Sequence, residues 1–188
     1  MTADYLQQVT LGAIEQQPTI QLVAADPTWP AQFAVEQRKI KQALGATALR
    51  IEHVGSTSIA DLSAKPIIDI LLLVPDAADE AVYVPQLTKA GYILRIREPD
   101  WHHHRMFRGT TRPLHIHVFS EGCSEAQQML HFRDWLRHDT ADRQWYRATK
   151  AELAAKEWPT MQAYADAKGP VVTAIKAHAT TYFDHYNG

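Results

Sequence analysis

The fold is decided by residues 51–74, which read IEHVGSTSIADLSAKPIIDILLLV. Residues 47–54 predict one strand, and residues 66–74 predict the strongest strand of the chain. The second strand is apolar on both alternating faces except at Asp69, a pattern typical of a strand that is covered on both sides. The two strands are joined through a loop with the sequence Gly55-Ser56-Thr57-Ser58.

This loop has the chemistry of a phosphate site. It lies where a strand passes into a predicted helical turn, so backbone N–H groups are exposed there, and the hydroxyls of Ser56, Thr57 and Ser58 add donors. The plainer interpretation is that the hydroxyls cap a helix while Gly55 fits the turn. The residues of the loop alone leave both interpretations open.

Asp69 is the charged side chain in an otherwise apolar strand. An ionised carboxylate there must be paired, hydrogen-bonded or bound to a metal, because desolvating it alone is costly. It is either a structural residue, paired with a neighbour such as Lys65 or placed at the strand end, or a metal ligand. A phosphate loop followed by a carboxylate on the next strand predicts a nucleotide–magnesium site.

The rest of the chain predicts mixed strands and helices first and helices alone afterwards. Further strands are predicted at 19–24, 92–96, 102–108 and 114–120, and helices at 29–44, 59–64, 77–90, 124–138, 141–157, 160–167 and 170–185. This order predicts an α/β (α+β) fold with a mixed sheet core over about 19–122 and a helical part over about 123–185. Residues 1–18 are interpreted as a variable extension of a single domain over 19–183.

Composition limits the classes of function. The chain has 188 residues, a formal net charge of −2 and one cysteine, which predicts a single domain in a reducing compartment, the cytoplasm. Its apolar runs are too short for a membrane span, and the N-terminus has no signal-peptide pattern. The near-neutral charge disfavours nucleic acid as a partner and favours a small phosphorylated ligand or nucleotide.

Residues 51–58 and 64–70 together resemble the GrpB family closely. The same resemblance includes His115-Ile116-His117-Val118, the segment FRDWLR at 132–137, Tyr146 with Lys150, and Tyr164 with Lys168. It extends from about residue 20 to 183. The resemblance implies the nucleotidyltransferase superfamily and its polymerase-beta-like fold, and some relatives occur fused to dephospho-CoA kinase.

The superfamily pattern is a Gly-Ser loop followed by two carboxylates separated by one residue, with a third on a later strand. Gly55 and Ser56 match the loop, and Asp69 matches the first carboxylate. The second carboxylate falls at Leu71, which cannot bind a metal, and two-metal phosphoryl transfer needs carboxylates that bridge the ions. The resemblance also makes Arg133 a candidate for contact with a substrate anion.

The ten histidines include two that could replace the missing carboxylates. His115 and His117 flank Ile116 on a predicted strand, so their side chains leave the same face. With Asp69 they would form a two-histidine, one-carboxylate site suited to zinc, manganese or iron. The alternative is one core and one surface histidine. The run at 102–104 is interpreted as a partly solvated segment.

The candidate phosphate-binding side chains beyond the loop are His53, Lys65, Arg133, Lys150 and Lys168. His53 could contact a phosphate or hydrogen-bond to the loop backbone. Tyr146 and Lys150 have i, i+4 spacing, as do Tyr164 and Lys168, so each pair shares one helix face. The lysines either line a basic pocket for a triphosphate or stack their stems on the rings.

Three functions follow as expectations. The first is a possible nucleotidyltransferase that uses a divalent metal, magnesium or manganese with zinc possible, to transfer a nucleotide to a small acceptor, with Asp69 as the catalytic carboxylate. The second is a catalytically degenerate binding module connected with coenzyme A metabolism. The third is a metal-dependent hydrolase built on the histidine–carboxylate site.

Overall fold

The computed structural model describes residues 2–14, 16 and 19–186, and the other positions of the predicted extension lie outside them. The helices are α1 (Ala3–Val9), α2 (Trp29–Leu44), α3 (Val84–Lys89), α4 (Ser124–His138), α5 (Thr140–Ala154), α6 (Met161–Ala167) and α7 (Gly169–Tyr186). The strands are β1 (Arg50–Val54), β2 (Ile68–Val74), β3 (Tyr92–Glu98), β4 (His104–Gly109) and β5 (Leu114–Ser120). The predicted order of mixed elements followed by helices is confirmed.

The five strands form one mixed sheet in the order β1-β2-β5-β4-β3. The central pair β2 and β5 is parallel, and the other neighbours are antiparallel. The parallel register aligns Asp69 with His115 and Leu71 with His117. Because side chains alternate along a strand, these four residues project from the same face of the sheet.

The opposite face packs on α2 and α3. Ile70 and Leu72 of β2 lie in one buried cluster with Ile40 of α2 and Leu87 of α3. Each such side chain contributes about 1.5–3 kcal/mol by leaving water. This layer fixes β2, and with it Asp69, in a rigid position.

Helix α4 covers part of the face that carries Asp69. Leu71 packs there with Phe119 of β5 and with Ala126 and Leu130 of α4, and its side chain is fully buried. Position 71, where the superfamily pattern has its second carboxylate, therefore belongs to the core between β2 and α4. Leucine suits that environment, whereas an unpaired carboxylate would be costly there.

The helical part packs against the segment that follows the loop. Ile59 and Leu62 form a buried cluster with Leu136 of α4, Tyr146 of α5 and Ile175 of α7. The sheet and the helices therefore meet around residues 55–62, and a cleft lined by residues of both parts remains between them.

The N-terminal segment bridges this cleft at one side. Thr10 forms an antiparallel bridge with Ile96 of β3, and Gln16 forms another with Thr160 beside α6. The extension expected at residues 1–18 thus touches both the sheet and the helical part.

The predicted helix at 77–90 is wrong in its first half. A 3₁₀ turn forms at Glu80–Val82, and α3 begins only at Val84. Pro85 is the reason, because proline fits the first turn of a helix but has no N–H to donate in its interior. The Asp76 carboxylate accepts a hydrogen bond from the Ala78 amide and closes a local turn before this segment.

Two short predicted elements around the loop are also wrong. The strand expected at 19–24 is reduced to one bridge between Val23 and Ala64. The helical turn expected at 59–64 does not form, and a 3₁₀ turn occurs earlier, at Ser56–Ser58. Three residues align too few peptide dipoles to attract an anion strongly, so the loop offers a phosphate its N–H and hydroxyl donors without a strong helix dipole.

Candidate functional site

Asp69, His115 and His117 converge on the face of the central strand pair. The Asp69 Oδ1 atom lies 3.3 Å from His115 Nδ1 and 3.8 Å from His117 Nε2. Each residue offers one ligand atom within 4.8 Å of the others. Two imidazoles and a carboxylate with this spacing fit a divalent ion of the zinc or manganese type, and they fit magnesium less well because it prefers oxygen ligands.

The protonation of Asp69 suits a ligand. Burial by itself would raise the pKa of this carboxyl, but the adjacent imidazoles of His115 and His117 outweigh burial and hold the pKa well below its ordinary value. Asp69 is therefore ionised at neutral pH and available to a cation.

The loop lies directly against this carboxylate. Gly55 has a φ of 66° and a ψ of −174°, a conformation that is almost confined to glycine. A Cβ atom at this position would meet the Asp69 carboxylate oxygen and would lie 2.9 Å from Asp69 Cβ and Cγ. The glycine thus allows the backbone to approach the carboxylate.

Two of the three loop hydroxyls are engaged by backbone carbonyls. The Ser58 hydroxyl donates to the Gly55 carbonyl at 2.6 Å, and the Thr57 hydroxyl donates to the Ile67 carbonyl at 3.2 Å. The Ser56 hydroxyl instead faces the cleft, where it accepts a hydrogen bond of 3.1 Å from Lys150 Nζ. Of the loop hydroxyls, Ser56 is the one placed to meet a ligand.

Two tyrosine rings support the lysines of the site. Lys150 Nζ lies 4.8 Å from the centre of the Tyr146 ring, and Lys168 Nζ lies 4.8 Å from that of Tyr164. Lys65 Nζ lies over the same Tyr164 ring at 5.4 Å. The i, i+4 pairs share a face as predicted, and cation–π contact holds the ammonium groups beside the cleft.

Lys150 is almost fully buried and has an unusual protonation equilibrium. Burial, together with the nearby charges of Lys168, Arg147 and Lys65, lowers its pKa from 10.5 to about 7. Its ammonium donates 2.6 Å to the Ser63 carbonyl. A phosphate beside Lys150 would favour its protonated form.

The stability of the chain should therefore depend on pH through Lys150. Between pH about 7 and 10.5 the unfolded chain binds one proton more at this lysine than the folded chain. The free energy of unfolding of the wild type should rise by up to about 1.4 kcal/mol per pH unit relative to Lys150→Met. Urea denaturation of both proteins from pH 7.5 to 9.5 measures this, and parallel curves would contradict the assignment.

These groups surround one cavity of about 480 Å³. Its lining includes Gly55, Ser56, Thr57, Lys65, Asp69, His115, His117, Tyr146, Lys150, Tyr164 and Lys168. Two arginines that are not among the candidates from the sequence, Arg95 of β3 and Arg108 of β4, also line it. Arg108 lies opposite His115 in the β4–β5 pairing. This proximity could not be predicted from the sequence, because it depends on which strands pair and in which register.

Three candidates from the sequence lie outside the lining of this cavity. Ser58 is engaged with the Gly55 carbonyl. His53 is buried, its Nε2 lies 3.0 Å from the Thr57 hydroxyl, and its ring stacks on Phe33 at 4.8 Å. Burial lowers the pKa of His53 to about 4, so its ring is neutral at pH 7. Its contact with Thr57 supports the loop on the side away from the cavity.

Arg133 is the third. Its guanidinium donates to Glu52 at 2.8 Å, to the His53 carbonyl at 3.1 Å and to Asp134 at 2.7 and 2.9 Å. The pKa of Arg133 is raised because these hydrogen bonds outweigh burial. The structure thus assigns Arg133 to an ion pair that joins α4 to β1, away from the cleft where the sequence placed it.

Residues 19–178 match the family described as GrpB protein. The chain belongs to the GrpB family. A UPF0157 protein of Halalkalibacterium halodurans is 52% identical over 182 residues, which cover 95% of this chain and 93% of that protein. The crystal structure of the conserved protein GrpB from Enterococcus faecalis superposes with a TM-score of 0.76 and 28% identity, covering 87% of this chain and 99% of that one.

A further relative places a GrpB-like sequence within a longer protein. The dephospho-CoA kinase of Mycolicibacterium paratuberculosis is 31% identical over 177 residues, which cover 80% of this chain but 44% of the kinase. Among the residues that the structure describes, no helix is long and apolar enough to cross a bilayer.

Proposed function

We propose that this GrpB chain binds a nucleoside triphosphate together with a divalent metal and transfers the nucleotidyl group to a small acceptor. The observation that carries the proposal is the joint lining of one cavity by a carboxylate–histidine site and by five cationic side chains. These cations are Lys65, Arg95, Arg108, Lys150 and Lys168, and Asp69 is the carboxylate among them. A cavity of about 480 Å³ suits a small ligand.

The residues that line the cavity would have two roles, metal binding and phosphate binding. Asp69, His115 and His117 would hold the metal, which when bound would polarise a phosphoryl oxygen. Ser56 and the lysines would bind the phosphate chain, because their donors face the cavity and their charges oppose its charge. Gly55 would let the loop backbone lie against the bound phosphates and the metal-binding carboxylate at once.

A second function is favoured by Leu71. Its burial beneath α4 leaves Asp69 as the carboxylate at the cavity, whereas two-metal transfer uses several. The same cavity could therefore bind a phosphorylated ligand without chemistry. The kinase relative makes dephospho-CoA the ligand to test for this alternative.

Ligand binding is tested by thermal unfolding with ATP and Mn²⁺. At 100 times the dissociation constant, we expect a stabilisation of about 2.7 kcal/mol, which raises the midpoint by about 5–10 °C for a chain of this size. EDTA should remove most of the shift. Lys168→Met should reduce it by at least half, whereas Lys156→Met, which alters an exposed lysine two residues beyond the end of α5, should leave it unchanged.

The outcomes separate the functions. Release of pyrophosphate with an acceptor panel supports nucleotidyl transfer, and release of inorganic phosphate alone indicates a hydrolase. A shift with dephospho-CoA but no turnover supports the binding module. If neither ATP nor dephospho-CoA raises the midpoint with Mn²⁺, Mg²⁺ or Zn²⁺ present, the proposal is wrong.

A further inference from the structure

A chain of hydrogen bonds runs from β3 to the metal-type site. Glu98 Oε2 lies 2.6 Å from His104 Nδ1, and His104 Nε2 lies 3.1 Å from His117 Nδ1. His117 then faces Asp69 with its Nε2 atom. The register places Glu98 opposite His104, so these groups share the face of the sheet that carries the site.

Glu98 and His104 are shielded from water and held on several sides. Glu98 and His104 are both about 5% exposed. The His104 ring stacks on Phe119 at 4.7 Å, and Trp101 meets it edge-on at 5.4 Å. The hydroxyl of Tyr5 in α1 donates to the second Glu98 oxygen at 3.2 Å. Glu98 accepts from both sides, which is the role of an ionised carboxylate.

The Glu98 carboxylate at one end of this network determines which ring nitrogens of His104 and His117 carry protons. Because the carboxylate only accepts, His104 Nδ1 must carry a proton and donate it to Glu98. In a neutral ring His104 Nε2 is then an acceptor, so His117 Nδ1 donates to it. His117 Nε2 is left with its lone pair, and this is the atom that faces Asp69.

We propose that Glu98 and His104 are positioning residues that fix His117 as the Nδ1–H tautomer and present its Nε2 lone pair to a divalent cation. The inference rests on the proposed function in taking the Asp69 site as a metal site. Partners of a metal-binding imidazole that orient its ring typically change metal affinity by 10- to 100-fold when they are removed. Without this network His117 could present Nε2–H to Asp69, which makes a hydrogen bond but binds no metal.

The tautomer is measured on the metal-free wild type, so the first test needs neither ligand nor activity. Two-bond ¹H–¹⁵N correlation spectra of ¹⁵N-labelled protein at pH 8 distinguish a protonated from an unprotonated ring nitrogen, and the His117 signals are assigned by their loss in His117→Gln. We expect a protonated Nδ1 and an unprotonated Nε2. The opposite tautomer would overturn the proposal.

The second test is the dissociation constant for Mn²⁺ in the absence of nucleotide, measured by electron paramagnetic resonance. His104→Phe keeps the ring stacking but has no acceptor, so we expect affinity to fall by about 10-fold or more. His104→Gln can place an amide oxygen near the lost Nε2 and should recover part of that affinity. His131→Gln removes a histidine on α4 that hydrogen-bonds to Gln127, and it should bind Mn²⁺ as the wild type does.

Glu98→Gln tests the direction of the protons. The amide can donate to His104 Nδ1, which would reverse the donor and acceptor roles in both hydrogen bonds. The population of Nε2–H at His117 would then rise. We expect this mixed tautomer together with weaker Mn²⁺ binding. Equal affinities for the wild type, His104→Phe and Glu98→Gln would show that the pair is only structural.

The two proposals fail in different ways. If the wild type shows the expected tautomer but binds no metal, the proposed function is wrong. If the wild type binds Mn²⁺ with the other tautomer, the positioning role is wrong and the metal site stands.

Discussion

Asp69→Asn is expected to raise the dissociation constant for Mn²⁺ by at least about 100-fold, which is more than the loss of an orienting partner produces. The carboxylate is the negatively charged member of the ligand set, and an amide oxygen has no net charge to offer a cation. The midpoint shift with ATP and Mn²⁺ should fall by more than half in the same variant, because the nucleotide would lose its metal-mediated contact with Asp69 and keep only its contacts with the five cationic side chains of the cavity.

Isothermal titration with Mn²⁺ and then with ATP measures both effects. Asp184→Asn is the matched control, since Asp184 is exposed on α7 and should leave both dissociation constants unchanged. An Asp69→Asn protein that binds Mn²⁺ within threefold of the wild type would exclude this site as the place where the metal binds. A variant that binds ATP normally without metal would instead favour the binding module.

Gly55→Ala should lower the free energy of unfolding by about 4 kcal/mol. About 1–3 kcal/mol comes from the backbone, because a residue with a side chain is strained at a φ of 66° in this region. About 1–3 kcal/mol more comes from overpacking, since the new methyl group would be driven into the Asp69 side chain. Relief of the overlap would displace the carboxylate, so Mn²⁺ binding should weaken as well.

Gly45→Ala separates the two contributions. Gly45 also has a positive φ, of 55°, but a Cβ there meets nothing within 4 Å. It should therefore show the backbone cost without overpacking and bind Mn²⁺ normally. Urea denaturation at pH 7 compares the variants, and equal losses of stability for the two would contradict the close approach between Gly55 and Asp69.

The central part of the fold was predictable because its signals are local. An apolar run on both faces of residues 68–74 requires two covering layers, and the helices at 29–44 and 124–138 have clear apolar faces. The shared face of His115 and His117 follows from strand periodicity alone. To predict that they converge with Asp69, one further piece of information is needed, which is the parallel register of β2 and β5.

The parts that could not be predicted depend on contacts distant in sequence. Arg108 reaches the cavity through the β4–β5 register, and Arg95 does so from the strand at the edge of the sheet. Arg133 had the right chemistry for an anion, but its partner Glu52 is 81 residues away. The run at 102–104 is predicted to be partly solvated because three adjacent residues of a strand cannot all face one site. His104 is nevertheless buried, and it follows two residues with positive φ, His102 and His103, which the sequence does not reveal.

The N-terminal segment that bridges the cleft has a consequence for diversity among relatives. Leu6, Thr10, Ala13 and Ile14 form one side of the cavity, yet they precede the matched family region, which begins at residue 19. Two proteins could therefore keep the same loop and the same Asp69 site while enclosing differently shaped ligands. Ligand selectivity can therefore change through the N-terminal segment, while the loop and the Asp69 site stay the same.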